Sequence, residues 1–179
     1  MDYVFDIDGT LADATHRLHF IKDMTYWKSV NGSVPKPDWD SFLSDEQVVE
    51  DTPIKAIWEI LYSLLLSPGN RVIFITSRKE SQRYTTYHWL YDSKMECPVR
   101  MFCGNHWNER RRSGGINGPL LYMRSNGDRR PSSIVKGELL DKARLDGFEP
   151  KMVFEDRKDD TAMWREKGLI CAQVADGDY

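Results

Sequence analysis

A chain of 179 residues makes one domain of ordinary size, and 40% hydrophobic with 30% charged residues excludes a disordered or fibrous protein. The longest apolar run, around Ile60 to Leu66, is far short of a membrane span, and no basic-then-apolar leader opens the chain, so a cytoplasmic protein is expected. The net charge of −3 conceals an asymmetry: seven arginines against two acids between Pro98 and Pro131 give that stretch +5 and leave −8 for the rest, which suits a phosphate-bearing polymer as partner unless the cluster is only a solvated loop.

Val4 to Asp13 organises the chain. Apolar Val4, Phe5 and Ile7 frame Asp6 and Asp8, and Gly9-Thr10 follows, so a buried strand delivers two carboxylates into a loop. Side chains two apart share one face of a strand, which brings both carboxylates to one small volume. Such a pair suits a divalent cation with oxygen ligands, or a division of labour between nucleophile and general acid/base; an acidic turn at a strand end is the plainer alternative. Thr15 to Asp23 is expected as a short helix carrying Arg17 close to that loop. Asn31 to Pro37 is turn-rich, and Pro37 to Leu43 starts another short helix with Asp38 or Asp40 as its cap. Thr52 and Pro53 are expected to cap and open the next helix, whose apolar face is Ile54, Ile57, Ile60, Leu61, Leu64 and Leu65 and which Pro68-Gly69 stops.

Arg71 to Thr76 is a continuous apolar run expected as a parallel strand covered on both faces, ending in Thr76-Ser77-Arg78. Residues 79 to 94 are expected as a helix with Tyr84, Tyr87, His88, Leu90 and Tyr91 inward, His88 there as a packing residue. Val99 to Cys103 is a weak strand, and Gly104 to Gly118, with four glycines and three arginines, an irregular loop. Cys97, Cys103 and His106 match no zinc-ligand pattern, and three cysteines are too few for a disulfide framework. Leu120 to Arg124 is the next strand. Ser132 or Ser133 then caps a helix with Ile134, Val135, Leu139, Leu140 and Ala143 as its stripe, Lys136 off it and Gly147 at its end. Lys151 to Phe154 is a buried strand running into Glu155-Asp156-Arg157, Asp159 to Lys167 a helix closed by Gly168, and Leu169 to Val174 the last strand.

This β-α alternation predicts a single α/β domain over residues 1–179, a doubly wound parallel sheet with helices on both faces. Ligands of such sheets bind beyond the carboxyl ends of the strands. Asp6, Asp8, Thr76, Arg78, Glu155 and Asp156 all fall there, and the helix of Lys136 begins near the same rim. Four carboxylates with a lysine, an arginine and a hydroxyl suit phosphoryl transfer through an aspartyl-phosphate. One carboxylate attacks, a second protonates the leaving oxygen, a hard cation neutralises the transferring group, and the hydroxyl, the lysine and backbone N–H groups hold its oxygens.

Asp6-Ile7-Asp8-Gly9-Thr10, Thr76, Lys136 and Glu155-Asp156, in this order, resemble the four motifs of the haloacid dehalogenase superfamily of phosphatases. The resemblance implies that superfamily's three-layer Rossmann-like fold, with a small cap-like insertion after the first strand between Asp13 and Thr52, where Trp27, Trp39 and Phe42 either cover the site or simply pack. It implies Asp6 as nucleophile and Mg²⁺ ligand, Asp8 as general acid/base that binds the metal through its carbonyl, Asp156 as direct metal ligand and Glu155 acting on the metal through water or from a second layer. Thr10, Thr76, Ser77 and Lys136 would bind phosphate or substrate.

A closer resemblance, over nearly the whole chain, is to the phosphatase domain of phage polynucleotide kinase/3′-phosphatase. It is carried by the spacing from Asp6 to Arg17, the Thr76-Ser77-Arg78 turn, Gly127-Asp128-Arg129-Arg130 ahead of Lys136, and Met163-Trp164-Arg165 through Gln173 to Tyr179. It implies that Arg17 and Arg78 hold the substrate phosphate, and a phage origin would place the protein in the host cytoplasm. This chain departs from that family at Ser132, where an aspartate four residues before the lysine would orient it, and in the inserted loop 104–118. No Gly-x-x-x-x-Gly-Lys-Ser/Thr motif occurs, so a phosphatase without a kinase half is expected. The expected function is a Mg²⁺-dependent phosphomonoesterase acting on nucleic acid 3′-phosphate ends. The alternatives are a nucleotidase acting on free (deoxy)nucleoside monophosphates and an inactive nucleic-acid-binding module, against which the intact Asp6 and Asp8 speak.

Overall fold

The computed structural model describes residues 1–23, 36–92 and 120–177. In chain order its strands are β1 (Asp2–Phe5), β2 (Ala12–Asp13), β3 (Thr52–Pro53), β4 (Arg71–Lys79), β5 (Leu121–Arg124), β6 (Pro150–Arg157) and β7 (Ile170–Gly177). The described helices are α1 (His19–Lys22), α2 (Trp39–Phe42), α3 (Asp45–Val48), α4 (Lys55–Leu66), α5 (Arg83–Asp92), α6 (Ser132–Leu145) and α7 (Lys158–Glu166). Five strands form one parallel sheet in the order β5-β4-β1-β6-β7, while β2 and β3 make a separate antiparallel pair. The doubly wound α/β architecture is therefore as the alternation of elements predicts.

Strand alternation sorts the core into two layers. Phe5, Val72, Phe74, Leu121 and Phe154 point to the face covered by Ile57, Trp58 and Leu61 of α4 and Trp89 and Leu90 of α5. Val4, Ile73, Ile75, Tyr122 and Val153 point to the opposite face, covered by Leu140 and Ala143 of α6 and Trp164 of α7. Burying each such side chain contributes about 1.5–3 kcal/mol, and the stacked rings of Phe5 and Phe154, 4.4 Å apart, hold β1 against β6. A third, small cluster of Ala14, Ile21 and Phe42 is formed by described residues of the segment between β2 and β3.

Several local expectations change. Thr52 and Pro53 do not open a helix: they pair with Ala12 and Asp13 as β3, and α4 begins at Lys55. Asp38 is the cap of α2, its carboxylate accepting from the Ser41 N–H at 3.0 Å. In α5 the buried face carries Thr86, Trp89 and Leu90, whereas Tyr84 is 74% exposed; His88 packs against the rings of Tyr84 and Tyr87. Neither Ser132 nor Ser133 caps α6, whose cap position is Pro131. Val135, Leu140 and Ala143 of the expected stripe are buried, but Ile134 is 47% exposed and Lys136 is on the buried face, because the carboxylates that gather around Lys136 outweigh apolar periodicity there. Trp27, the weak strand 99–103, the loop 104–118 and Cys97, Cys103 and His106 lie outside the described residues, and Cys171 is a buried free thiol. No described helix is long and apolar enough to cross a membrane.

Candidate active site

Beyond the end of β1 the Asp6 N–H still donates to the Phe154 carbonyl of β6, at 3.0 Å. Asp6 thus leaves the sheet between β4 and β6, where connections diverge to the two sides and a doubly wound sheet opens its crevice. The next turn is tight. The Ile7 carbonyl accepts the N–H groups of Thr10, Leu11 and Ala12 at 3.2, 2.8 and 2.8 Å, and Gly9 takes a φ of 81° that a Cβ would disfavour. This turn sends Asp6 and Asp8 into two different networks.

Lys136 is the centre of the first. Its Nζ lies 2.9 Å from Asp6, 2.7 Å from Glu155 and 2.8 Å from Asp160, and the side chain is 2% exposed. Burial alone would lower the ammonium's pKa, but Asp6, Glu155 and Asp160 around it push it well above the ordinary lysine value, which favours the charged form. Burial, reinforced by Glu155, pushes the Asp6 carboxyl upward, and Lys136 pulls the other way. Asp6, Glu155 and Asp156 offer carboxylate oxygens within 4.8 Å of one another, an all-oxygen donor set that fits a hard divalent cation such as Mg²⁺. Glu155 is already occupied: one oxygen accepts from Lys136 and the Trp164 indole N–H (3.0 Å), the other from the N–H groups of Asp156 and Arg157 (both 3.2 Å). Asp6 and Asp156 are therefore the better direct donors, with Glu155 orienting what surrounds them. The Asp156 carboxylate also accepts from the Thr10 hydroxyl at 3.4 Å and packs against Gly177, where a Cβ would run into it.

The second network is balanced. Arg17 and Arg78 are fully buried, and each bridges the same two carboxylates. Arg17 donates to Asp8 at 2.5 Å and to both oxygens of Asp51 at 2.8 and 2.7 Å; Arg78 donates to Asp8 at 2.6 Å and to Asp51 at 2.8 Å. The Phe42 carbonyl and ring steady Arg17, and Thr86 and Trp89 flank Arg78. Although burial would raise it, the guanidiniums of Arg78 and Arg17 hold the Asp8 carboxyl well below the usual carboxylate range. Burial pushes Asp51 up, against the pull of Arg17 and Arg78.

From β4, the buried Thr76 hydroxyl accepts from the Arg78 N–H at 3.2 Å, which leaves its own proton to donate. Ser77 is within 2.5 Å of the Ser132 hydroxyl, which donates to Asp160 at 2.7 Å. Because Ser132 has one proton and Asp160 takes it, Ser77 is the donor to Ser132. All ten candidate residues, Asp6, Asp8, Thr10, Arg17, Thr76, Ser77, Arg78, Lys136, Glu155 and Asp156, thus come to one rim. Asp51 and Asp160 were not singled out from sequence: Asp51 follows Glu50 before Thr52-Pro53 like a surface acid, and Asp160 in the first turn of a helix looks like an ordinary dipole partner.

A parallel sheet that gathers these groups at its switch point defines a class, the haloacid dehalogenase-type phosphatases. Within that class the chain belongs to the family of the polynucleotide kinase PNKP phosphatase domain, whose model matches residues 30–179. That match starts after Asp6 and Asp8. A structure of the Pnkp1/Rnl/Hen1 RNA repair complex aligns with 99% of this chain at 20% identity and TM-score 0.63. A haloacid dehalogenase-like hydrolase from Streptococcus pneumoniae aligns with 95% of it and 82% of its own chain, at 18% identity and TM-score 0.60. A class C acid phosphatase from Bacillus anthracis aligns with 99% and 67%, at 11% identity and TM-score 0.52. At these identities the likeness is one of fold. The chain spans only 43% of the repair-complex protein.

Proposed function

We propose that the protein is a Mg²⁺-dependent phosphomonoesterase that removes 3′-phosphate from nucleic acid ends through an aspartyl-phosphate on Asp6. The observation that carries this reading is the position of Asp6, at the switch point of the sheet, against Lys136 on one side and the Asp156 carboxylate on the other. Bound there, Mg²⁺ would neutralise the charge of the transferring phosphoryl group. Asp6 attacks phosphorus and the ester oxygen leaves; Asp8, which takes up a proton once the substrate phosphate draws Arg17 and Arg78 away from it, delivers that proton to the leaving oxygen and later takes one from the water that hydrolyses the acyl-phosphate. Lys136 and the Thr76 hydroxyl hold phosphoryl oxygens, and Arg17 and Arg78 take up the substrate phosphate by exchanging part of their bonding to Asp8 for it. The segment between β2 and β3, with Phe42 under Arg17, is read as a small cap on this mouth of a single domain.

Family membership and the RNA repair complex among the structural relatives support a nucleic acid end as substrate. One observation favours a nucleotidase instead. Of the arginines between 100 and 130 that are described, Arg124 is spent on the carbonyls of Ser77 and Arg130, at 3.0 and 2.7 Å, and Arg130 is paired with Asp128 and Glu138; Arg129 is exposed. The test compares kcat/KM for a 3′-phosphorylated oligonucleotide with that for the matching 3′-mononucleotide over a salt series, with and without chelator. A polymer substrate predicts an advantage for the oligonucleotide that shrinks as salt rises. Equal values at every salt concentration would leave the nucleotidase. Full activity in excess chelator would contradict the metal.

A further inference from the structure

Asp160 is buried without any exposure, sits outside all the sequence motifs, and holds Lys136 directly and Ser77 through one intervening hydroxyl. Its Oδ2 receives the Lys136 ammonium at 2.8 Å and the Ser132 hydroxyl at 2.7 Å, and through Ser132 it reaches Ser77 at the end of β4. Its other oxygen, Oδ1, is buried with no hydrogen-bond partner among the described residues. A carboxylate kept only for folding is placed where both oxygens are satisfied, because an unpaired buried acceptor is a cost. A carboxylate kept for the site can carry that cost.

We propose that Asp160 is a positioning residue for the phosphatase reaction: from the first turn of α7 it aims the Lys136 ammonium and, through the Ser132 hydroxyl, fixes Ser77. This rests on the reading of Lys136 as a phosphate-binding group. Lys136 has a long stem with many rotamers, and two of its three carboxylate partners belong to the sheet side of the site, Asp6 just past β1 and Glu155 on β6. Left with these two alone, the ammonium would be drawn toward the carboxylates. Asp160, reaching in from α7, pulls it toward the helix and leaves it between the nucleophile and the incoming phosphoryl oxygens. Ser132 and Ser77 pass the same restraint to the last residues of β4, which include Thr76 and Arg78.

The geometry also supplies the test. Ser132 Oγ is already within 2.7 Å of Asp160 Oδ2, so a carboxylate grown from position 132 reaches the place that the Asp160 carboxylate leaves. Hydrolysis of a small aryl phosphate is measured, with melting temperature, for Asp160→Ser, Asp160→Asn, the exchanged pair Ser132→Asp/Asp160→Ser, and Lys136→Met. Asp160→Ser is expected to lower kcat/KM by about 10–100-fold, the loss seen when outer partners of reacting groups are removed. The exchanged pair should regain most of it, which a role confined to folding would not predict. Asp160→Asn, which keeps the shape and loses the charge, should be impaired at an unchanged melting temperature and guards against misfolding of the serine variant. Wild-type turnover in Asp160→Asn, or an exchanged pair that folds yet is no better than Asp160→Ser, would overturn the proposal. Full activity of Lys136→Met would instead bring down the reading of the site on which it rests.

Discussion

Asp6 and Asp8 are separated by one residue, yet they belong to opposite kinds of electrostatic environment. Around Asp6 the carboxylates of Glu155, Asp156 and Asp160 gather on Lys136, the cation in direct contact with them among the described residues, so negative charge is in excess. Around Asp8 two carboxylates, Asp8 and Asp51, face two guanidiniums, Arg17 and Arg78, and the charges cancel. An anion-rich pocket has room for an added cation, whereas a balanced one admits an anionic substrate only by exchange. On the proposed function, division of the site into a metal half and a phosphate-and-proton half would follow from which side of one short loop each aspartate faces.

The sharpest way to break this comparison is to remove the nucleophile. Asp6→Asn is expected to lower turnover by roughly 10⁴–10⁶-fold with the fold intact, because an amide forms no acyl-phosphate; phosphate release by a preparation with unchanged circular dichroism checks it. Asp8→Asn, which removes the proton carrier of the balanced half, should cost about 10²–10⁴-fold in kcat. If both variants lost activity equally and KM moved with kcat, the two halves would not be separable in function.

Asp51 tests the balanced half by itself. Asp51→Ala leaves two buried guanidiniums sharing one carboxylate, and removing one partner of a buried ion pair costs about 3–5 kcal/mol of stability. Urea unfolding measures it, and a loss below about 1 kcal/mol, the scale of exposed pairs, would mean the arginines are held by Phe42, Thr86 and Trp89 instead. Gly177→Ala probes the other half more gently. The new methyl group would meet the Asp156 carboxylate, whose Cγ is 2.8 Å from the added Cβ, so the Mg²⁺ needed for half-maximal activity should rise by about 10-fold. An unchanged Mg²⁺ titration would remove Asp156 from the metal site.

The smallest expected effect is far from the site and serves as a control. Asp2 accepts from Arg71 at 2.7 and 2.5 Å; burial would raise its carboxyl, but the Arg71 hydrogen bonds and the Glu149 N–H bring it below the ordinary value of 3.8. A carboxyl lowered by folding adds stability that is fully present above that ordinary value and is lost as pH falls through the lower, folded one. Asp2→Asn should therefore reduce stability at neutral pH and lose less than the wild type on acidification. Parallel acid-denaturation curves would contradict it, and activity near neutral pH should be unmoved.

The sheet was legible in the sequence because apolar runs such as Arg71 to Thr76 carry their own signal, and the convergence of the candidate residues was legible because acids and hydroxyls at the carboxyl ends of such runs share one rim of a parallel sheet. The misassigned parts share a cause. Lys136 and Ile134 exchanged faces, and Thr52-Pro53 became a strand, because local periodicity and capping cannot register a partner distant in the chain: Asp6 for Lys136, Ala12 and Asp13 for β3. Asp51 and Asp160 were missed for the same reason. Nothing beside either in sequence distinguishes it from a surface acid, and their meaning comes from Arg17, Arg78 and Lys136, which only folding brings within hydrogen-bond reach.

Acid quenching of a single turnover on a substrate with a radiolabelled phosphate tests the central claim most directly. The account predicts label carried by the protein, released by hydroxylamine as an acyl-phosphate would be, mapped by digestion to the peptide containing Asp6 and absent in Asp6→Asn. Phosphate release at the wild-type rate with no labelled protein at any quench time, or label that persists in Asp6→Asn, would contradict it.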